Sequence, residues 1–185
     1  MADQKTGMND SEVVSNAATV ENQGMTAEKR RNARFTGSYN HTMDAKGRLV
    51  IPTGFRDKLG STFYVAPSFD FRSIAVYPNE KWEEQSEKFE TLGKFNAKLN
   101  AYLEQFYALS FDGQECDNQG RLLLPANIRS KILGDEKDIE ITGANDHVRI
   151  VAASTGRNAW DKFNNDLPDL LELIGNLEQQ NGNKE

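Results

Sequence analysis

The sequence predicts a β-rich α+β fold in which one small unit occurs twice, with helices flanking each copy. The first observation is an internal repeat: residues 44–58 and 117–131 share seven identities at an offset of 73, where chance pairing gives about one. The second is size, because each copy with its trailing segment spans about 75 residues, which is marginal for burying a core alone. The third is the alternation of short apolar runs with longer helical patterns. The two copies are expected to pack as a pair.

The elements of the first copy follow from its apolar runs and its turn residues. Pro52 ends a β-branched run and can open a helical turn, in which Phe55 and Leu59 share one face. A loop that contains Pro, Ser and Asp separates two further runs and predicts a hairpin. The expected strands are 35–43, 49–51, 63–65 and 74–77.

The second copy repeats this order, with one residue inserted near Leu133. Helical segments are expected near Trp82, with a break at Gly93, and near Trp160, with Pro168 opening a Leu-rich stretch. The expected strands are 110–116, 122–124, 139–141 and 148–151. The predicted division of the chain is a disordered extension (1–34), a first β-domain (35–82), a helical connector (83–107), a second β-domain (108–153) and a C-terminal helical segment with tail (154–185).

Composition limits the function classes. The net charge is −6, but residues 35–78 carry five basic and three acidic side chains, a local net charge of +2. An acidic total therefore does not exclude a nucleic-acid partner. No apolar run is long enough to cross a bilayer, and residues 1–34 lack the apolar core of a secretory leader. The single Cys116 fits a reducing compartment, so a cytoplasmic location is expected.

Catalytic and metal-binding patterns are not found in the sequence. One cysteine and two histidines, His41 and His147, provide no zinc ligand set. No phosphate-binding Gly-x-x-x-x-Gly-Lys loop and no Gly-x-Ser-x-Gly nucleophile turn occurs. We therefore predict no cofactor, no metal, no small-molecule substrate and no enzymatic activity.

The turn of the first copy, Asp44-Ala-Lys-Gly-Arg48, is the principal candidate site. Asp44 can accept hydrogen bonds from backbone N–H groups further along the turn. Gly47 can supply the positive φ of a tight connection, so the Arg48 side chain is held near the tip of the turn. Arginine in a rigid turn suits phosphate contact and bidentate recognition of guanine, and Lys46 adds phosphate charge.

The turn of the second copy is Asp117-Asn-Gln-Gly-Arg121, with Gln119 in place of the lysine. This copy is acidic overall, so Arg121 is the weaker candidate for DNA contact. An alternative stays open for both turns: Asp and Arg four residues apart form a structural ion pair that only stabilises the turn.

The stretch Phe35-Thr-Gly-Ser-Tyr-Asn-His-Thr-Met-Asp-Ala-Lys-Gly-Arg-Leu-Val-Ile-Pro-Thr-Gly-Phe-Arg56 resembles the opening of the MraZ family of bacterial transcriptional regulators. Val76-Tyr-Pro78, Trp82 and the second Asp117-x-x-Gly-Arg-Leu-x-x-Pro125 lie where that family has them. The resemblance covers about residues 35–165 and includes both copies in order.

The resemblance implies two SpoVT/AbrB-like domains, arranged as tandem swapped-hairpin repeats that form a pseudo-twofold β-barrel with flanking helices. It also implies a ring-shaped homo-oligomer, associated with the nucleoid. This oligomer would bind double-stranded DNA at short direct repeats in its own promoter, upstream of the division and cell-wall gene cluster. The family's Asp-x-x-x-Arg element maps onto Asp44 with Arg48 and onto Asp117 with Arg121, and the first-copy arginine is the family's expected DNA contact.

The site prediction has two parts. Arg56 and its counterpart Arg129 lie on the helical turns and are expected to contact the DNA backbone or to brace the barrel. The residues predicted to bind DNA are Arg48, Lys46, Arg121 and Arg56, and those predicted to orient the turns are Asp44, Gly47, Asp117 and Gly120.

Three other functions compete with DNA-binding regulation. The first is an oligomeric protein–protein interaction module in which the Gly-Arg turns are structural and the Leu-rich C-terminal helices bind the partner. The second is an enzyme with a site between subunits, which the lack of a nucleophile–base set disfavours. The third is an antitoxin-like AbrB relative, which would not need two fused copies.

Overall fold

The computed structural model of the protein describes residues 34–93 and 96–182. The chain separates into residues 1–34 and a compact unit, residues 35–185, to which the elements below belong. The strands are β1 (Ser38–Thr42), β2 (Arg48–Val50), β3 (Phe63–Pro67), β4 (Ile74–Pro78), β5 (Phe111–Gln114), β6 (Arg121–Leu123), β7 (Asp138–Gly143) and β8 (Val148–Ala152). The helices are α1 (Thr53–Leu59), α2 (Asn79–Gly93), α3 (Ala97–Ala108), α4 (Ala126–Ile132) and α5 (Ala153–Gly182). The extension predicted at 1–34 lies outside the described residues, apart from Arg34.

The main sheet is antiparallel and mixes strands of the two copies. Its six strands lie in the order β1-β7-β8-β4-β3-β5. Strand β1 of the first copy pairs with β7 of the second, with Ser38 opposite Thr142. Strand β5 of the second copy pairs with β3 of the first, with Phe63 opposite Gln114, and β4 pairs with β8 between them. Each copy therefore contributes an outer strand that lies beside strands of the other copy.

The repeated Arg-Leu segments form a separate two-stranded antiparallel ladder, β2 with β6. Leu49 lies opposite Leu122, and both side chains are buried. Because successive side chains of a strand point to opposite faces, the residues on either side of these leucines share the other face of the ladder.

Among the described residues, two apolar clusters stabilise the unit. The larger one draws on both copies and includes Phe35, Leu49, Phe55, Leu122 and Ile128. The second is aromatic and lies where α2 and α3 pack against β3 and β4. In it the Trp82 ring stacks on Tyr64 at a centroid distance of 4.6 Å and on Phe106 at 5.9 Å. Ala66 and Ala75 on the strands are buried in this cluster, and their small side chains leave room for the rings.

The α+β class and the β-rich antiparallel sheet are confirmed. The barrel implied by the family resemblance is not closed, because β1 and β5 are the outer strands of a linear order. Strand β2 pairs with β6 and not with β1. Within the turn before it, the Asp44 amide donates to the Arg48 carbonyl at 2.9 Å, so this carbonyl is not free for a sheet neighbour.

The C-terminal helix differs from the prediction of a helix near Trp160 and a new stretch at Pro168. Helix α5 begins at Ala153, directly after β8, and continues through Pro168. The proline cannot donate to the carbonyl of Asn164 one turn earlier. Asn164 is exposed, so water can reach that carbonyl, and the helix tolerates the proline.

Candidate nucleic-acid interface

Turn one, residues 44–48, is organised by the Asp44 carboxylate. Its Oδ1 accepts hydrogen bonds from the backbone amides of Lys46 and Arg48, both at 2.9 Å. Its Oδ2 accepts from Nε of Arg48 at 2.7 Å, which is also an ion pair. Gly47 has φ +82° and donates its amide hydrogen to the Asp44 carbonyl at 3.0 Å. One carboxylate therefore fixes both the backbone of the turn and the Arg48 side chain.

Turn two, residues 117–121, has the same geometry. Oδ1 of Asp117 accepts from the amides of Gln119 and Arg121 at 2.9 Å. Its Oδ2 accepts from Nε of Arg121 at 2.7 Å, and Nη2 of the same guanidinium also lies 2.7 Å away. Gly120 has φ +74°, the left-handed conformation that favours glycine. The repeated sequence thus produces a repeated three-dimensional site, and all four residues predicted to orient the turns lie in these two turns.

The carboxylates in both turns are stabilised in their charged form. The backbone hydrogen bond from Arg48 is the main cause that lowers the pKa of Asp44 below its usual value, although burial opposes it. The side-chain hydrogen bond from Arg121 is the largest of the causes that lower the pKa of Asp117 to about 2. Both aspartates are therefore ionised at neutral pH, and each neutralises part of the charge of its own arginine.

Arg48 and Arg121 lie on one exposed face of the β2–β6 ladder. Arg48 is opposite Leu123, and Arg121 is opposite Val50, so the two arginines are diagonal cross-strand neighbours. Such neighbours lie about 7–8 Å apart. Each arginine side chain is 29% exposed. We call this surface, formed by these four residues, the arginine face.

The two turns differ in net charge. Lys46 is exposed in turn one, so Asp44, Lys46 and Arg48 sum to +1. Gln119 is exposed at the matching position of turn two, and Asp117 with Arg121 sums to zero. A polyanion that approaches the arginine face therefore meets its stronger attraction at turn one.

The two helical arginines contact the turns of the opposite copies. Arg129 of α4 lies against Gly47, so closely that a Cβ there would overlap its guanidinium. Its Nη1 donates to the Lys46 carbonyl at 3.2 Å. Arg56 of α1 lies against Gly120 in the same way. We call Arg56 and Arg129 the bracing arginines; the predicted DNA contact of Arg56 stays a prediction.

Sequence inspection did not identify two sets of exposed apolar side chains. Val50 and Leu123 are exposed between the arginines, and only the register of the ladder reveals that they share a face. Helix α5 also exposes apolar side chains, including Trp160 and Leu177, in the segment for which the sequence predicted a Leu-rich helical stretch. Six exposed or half-buried apolar residues follow alternating steps of three and four residues, a coiled-coil spacing visible in the sequence, whereas the exposed Leu171 and Leu173 lie off this row. We call these six residues the α5 seam: Trp160, Phe163, Leu167, Leu170, Ile174 and Leu177.

Other site types find little support within the described ranges. No helix there is both long and apolar enough to cross a membrane. No group of three or more His, Cys, Asp or Glu side chains in residues 34–93 and 96–182 could hold a metal ion. Cys116 is half-buried, and burial raises the pKa of its thiol.

These features define an α+β protein with two similar arginine-bearing turns on one β-face. The family described as "MraZ protein, putative antitoxin-like" matches residues 34–105. The Transcriptional regulator MraZ of Moorella thermoacetica is 34% identical over 140 residues, which cover 76% of this chain and 93% of the relative. The regulator of the same name from Carboxydothermus hydrogenoformans is 35% identical over 140 residues, with coverages of 76% and 93%. That from Lachnoclostridium phytofermentans is 38% identical over 117 residues, with coverages of 63% and 79%. The chain belongs to the MraZ family.

Proposed function

We propose that the protein is a transcriptional regulator without enzymatic activity that binds duplex DNA through the arginine face. The observation that carries this proposal is the position of Arg48 and Arg121 as diagonal neighbours on one exposed face. The names of the relatives support the regulatory role. In this proposal the targets are short direct repeats in the protein's own promoter, upstream of the division and cell-wall gene cluster. It acts in the cytoplasm, at the nucleoid.

Arg48 is the principal contact in this proposal. A guanidinium has five N–H donors, and the ion pair with Asp44 uses the one on Nε. This bond orients the side chain and leaves donors for a base edge or a phosphate. Arg121 has both Nε and Nη2 beside Asp117, so it has fewer donors to offer and serves as the secondary contact.

Lys46 supplies sequence-independent attraction. Its ammonium is a compact charge on a flexible stem, exposed at the tip of turn one, and suits a phosphate better than a base edge. Gln119 in turn two provides hydrogen bonds without charge. A single subunit therefore contributes only a few phosphate contacts.

Assembly compensates for this small number of contacts. The proposal includes the swapped-hairpin organisation and a ring-shaped homo-oligomer in which several arginine faces engage successive DNA repeats. Linked sites gain affinity through effective concentration without new contacts. The exposed α5 seam supports self-association, because a heptad-spaced apolar row is stabilised when a second helix packs on it.

Fluorescence anisotropy with a duplex from the chain's own promoter, against a scrambled duplex, tests DNA binding. Arg48→Ala is expected to lower promoter affinity at least about fivefold, as loss of one bidentate arginine contact costs about 1–3 kcal/mol. Arg72→Ala, which removes an exposed arginine from the β3–β4 loop, is the matched control. If the Arg48→Ala protein assembles to the same oligomer as wild type and keeps its promoter affinity, Arg48 is not the principal DNA contact.

Lys46→Ala tests the phosphate contact separately. The slope of log affinity against log salt should become shallower by about 0.9 for each subunit engaged on the duplex, the value for one phosphate contact. Discrimination between promoter and scrambled duplex should persist, because phosphate contacts carry no sequence information. An unchanged slope would remove Lys46 from the interface.

The second candidate is an oligomeric protein–protein interaction module with structural Gly-Arg turns. The Asp–Arg ion pairs of both turns and the exposed Val50 and Leu123 favour it. Salt separates the two functions, since apolar association does not weaken steeply with ionic strength, whereas binding to phosphates does.

A further inference from the structure

We infer that the bracing arginines are positioning residues, each holding the turn of the opposite copy, so that the two turns form one coupled unit. The part of this inference that concerns DNA rests on the proposed function, and the structural part rests on contacts alone. Neither arginine is then a DNA contact, although Arg56 was predicted to be one.

The first support is close and reciprocal packing on glycine. At Gly47 and at Gly120 the space that a Cβ would need is filled by the guanidinium of Arg129 and of Arg56 respectively. Each turn glycine is buried. Gly113, which also has positive φ, has nothing within 4 Å of a Cβ position. Among the described glycines with positive φ, close packing of a guanidinium therefore occurs at the two repeated turns and not at positive φ in general.

The second support is a reciprocal pair of backbone hydrogen bonds. The amide of Leu124 donates to the Gly47 carbonyl at 3.1 Å, and the amide of Ile51 donates to the Gly120 carbonyl at 3.0 Å. Each bond joins the turn of one copy to the segment after the short strand of the other. The opposite copy thus contacts the glycine of each turn twice: a backbone amide binds its carbonyl, and a guanidinium packs beside its Cα.

The third support is what the bracing guanidiniums donate to. Nη1 of Arg129 donates to the Lys46 carbonyl at 3.2 Å, inside turn one. Nη2 of Arg56 donates to Thr53 Oγ1 at 2.7 Å. Its Nε is buried and finds no acceptor among the described residues. Burial against turn two keeps the Nε atom away from a phosphate, and the packing of the guanidinium on Gly120 accounts for its position.

The consequence is a fixed spacing between Arg48 and Arg121. Movement of either turn would displace a bracing arginine that belongs to the other copy. A change in the second copy should therefore loosen the turn of the first, and the reverse should also hold. Ordinary structural damage would instead loosen the copy that carries the change, or both copies equally.

Amide hydrogen exchange followed by NMR on the full chain tests this pattern. In Arg129→Gln the exchange rates of the turn-one amides, each divided by the rate of the buried Ile150 amide, should be about tenfold higher than in wild type. The reason is that the variant loses one hydrogen bond to turn one and the packing on Gly47. The amides of turn two should change less than about twofold. Arg56→Gln should give the opposite pattern. The amides compared are those of Lys46, Gly47 and Arg48 with those of Gln119, Gly120 and Arg121.

Two further variants keep the test decisive. Lys131→Gln removes a charge from α4 without touching a turn glycine and should leave both turns unchanged. Arg129→Lys keeps the charge and much of the stem, so it should show the same cross-copy pattern at smaller size even if Arg129→Gln does not fold. Three outcomes in the Arg129 variants overturn the inference: faster exchange only in turn two, equally faster exchange in both turns, or no faster exchange in either turn.

A DNA measurement separates this inference from the proposed function. On the promoter duplex, Arg129→Gln should weaken binding with an unchanged salt slope, because no phosphate contact is lost. A slope shallower by about 0.9 or more for each engaged subunit would make Arg129 a phosphate contact and overturn the positioning role. If the wild-type protein does not bind the duplex, the proposed function fails, and the exchange pattern still decides the inference.

Discussion

Leu49→Ala measures how strongly the two copies depend on each other. Leu49 is 1% exposed and faces Leu122 across the β2–β6 ladder. The substitution removes three carbons, which at about 0.8 kcal/mol each gives roughly 2.4 kcal/mol of lost transfer free energy. The residual cavity brings the expected loss in free energy of unfolding to about 3–4 kcal/mol. For a folded unit of this size the melting temperature falls by about 6–16 °C.

Urea unfolding followed by circular dichroism and by tryptophan fluorescence checks this value. Both signals should move together in one transition, because the core that surrounds Leu49 contains residues of both copies. Leu123→Ala, on the exposed face of the same ladder at 55% exposure, should change stability by less than about 0.5 kcal/mol. Two separate transitions, with only one shifted by Leu49→Ala, would refute the shared core.

Two more predictions concern the turns. Gly47→Ala should lower the free energy of unfolding by about 1–2 kcal/mol because of the positive φ, and by a further ~1 kcal/mol or more because the new Cβ displaces Arg129. Gly113→Ala should lower it only by the first amount. Equal losses of the two variants in urea unfolding would contradict the packing of Arg129 on Gly47. The pKa of Asp117, about 2, lies below the ordinary 3.8, so its stabilising contribution is present above about pH 4 and is lost as the pH falls toward 2. The stability deficit of Asp117→Asn relative to wild type should therefore shrink between pH 5 and pH 2.5, and a constant deficit would show that the ion pair with Arg121 does not stabilise the fold.

Much of the local structure could be predicted from the sequence, because short-range chemistry determines it. Pro52 and Pro125 stand as N-caps directly before α1 and α4, where a fixed φ and a missing donor are tolerated. The predicted β-hairpin of the first copy is present with longer strands, β3 and β4. The two turns form because Asp, Gly and Arg recur at fixed spacing.

Long-range pairing could not be predicted in the same way. Nothing in the spacing shows that β1 pairs with β7, or that Val50 faces Arg121, because register depends on packing across the whole unit. The bracing role of Arg129 depends on that arrangement, since its target Gly47 lies in the other copy. The continuation of α5 through Pro168 depends on solvent access to the Asn164 carbonyl, which helix propensities do not describe.

The exchange of outer strands affects how the chain folds during translation. Ser38 finds its partner Thr142 about a hundred residues later, and ribosomes add roughly 5–20 residues per second. The first strand to emerge therefore waits about 5–20 seconds before its edge can be covered. Pairing between residues so far apart in the sequence also slows folding after the chain leaves the ribosome. The nascent first copy consequently spends its synthesis with an open β-edge, the state most exposed to chaperones and to aggregation.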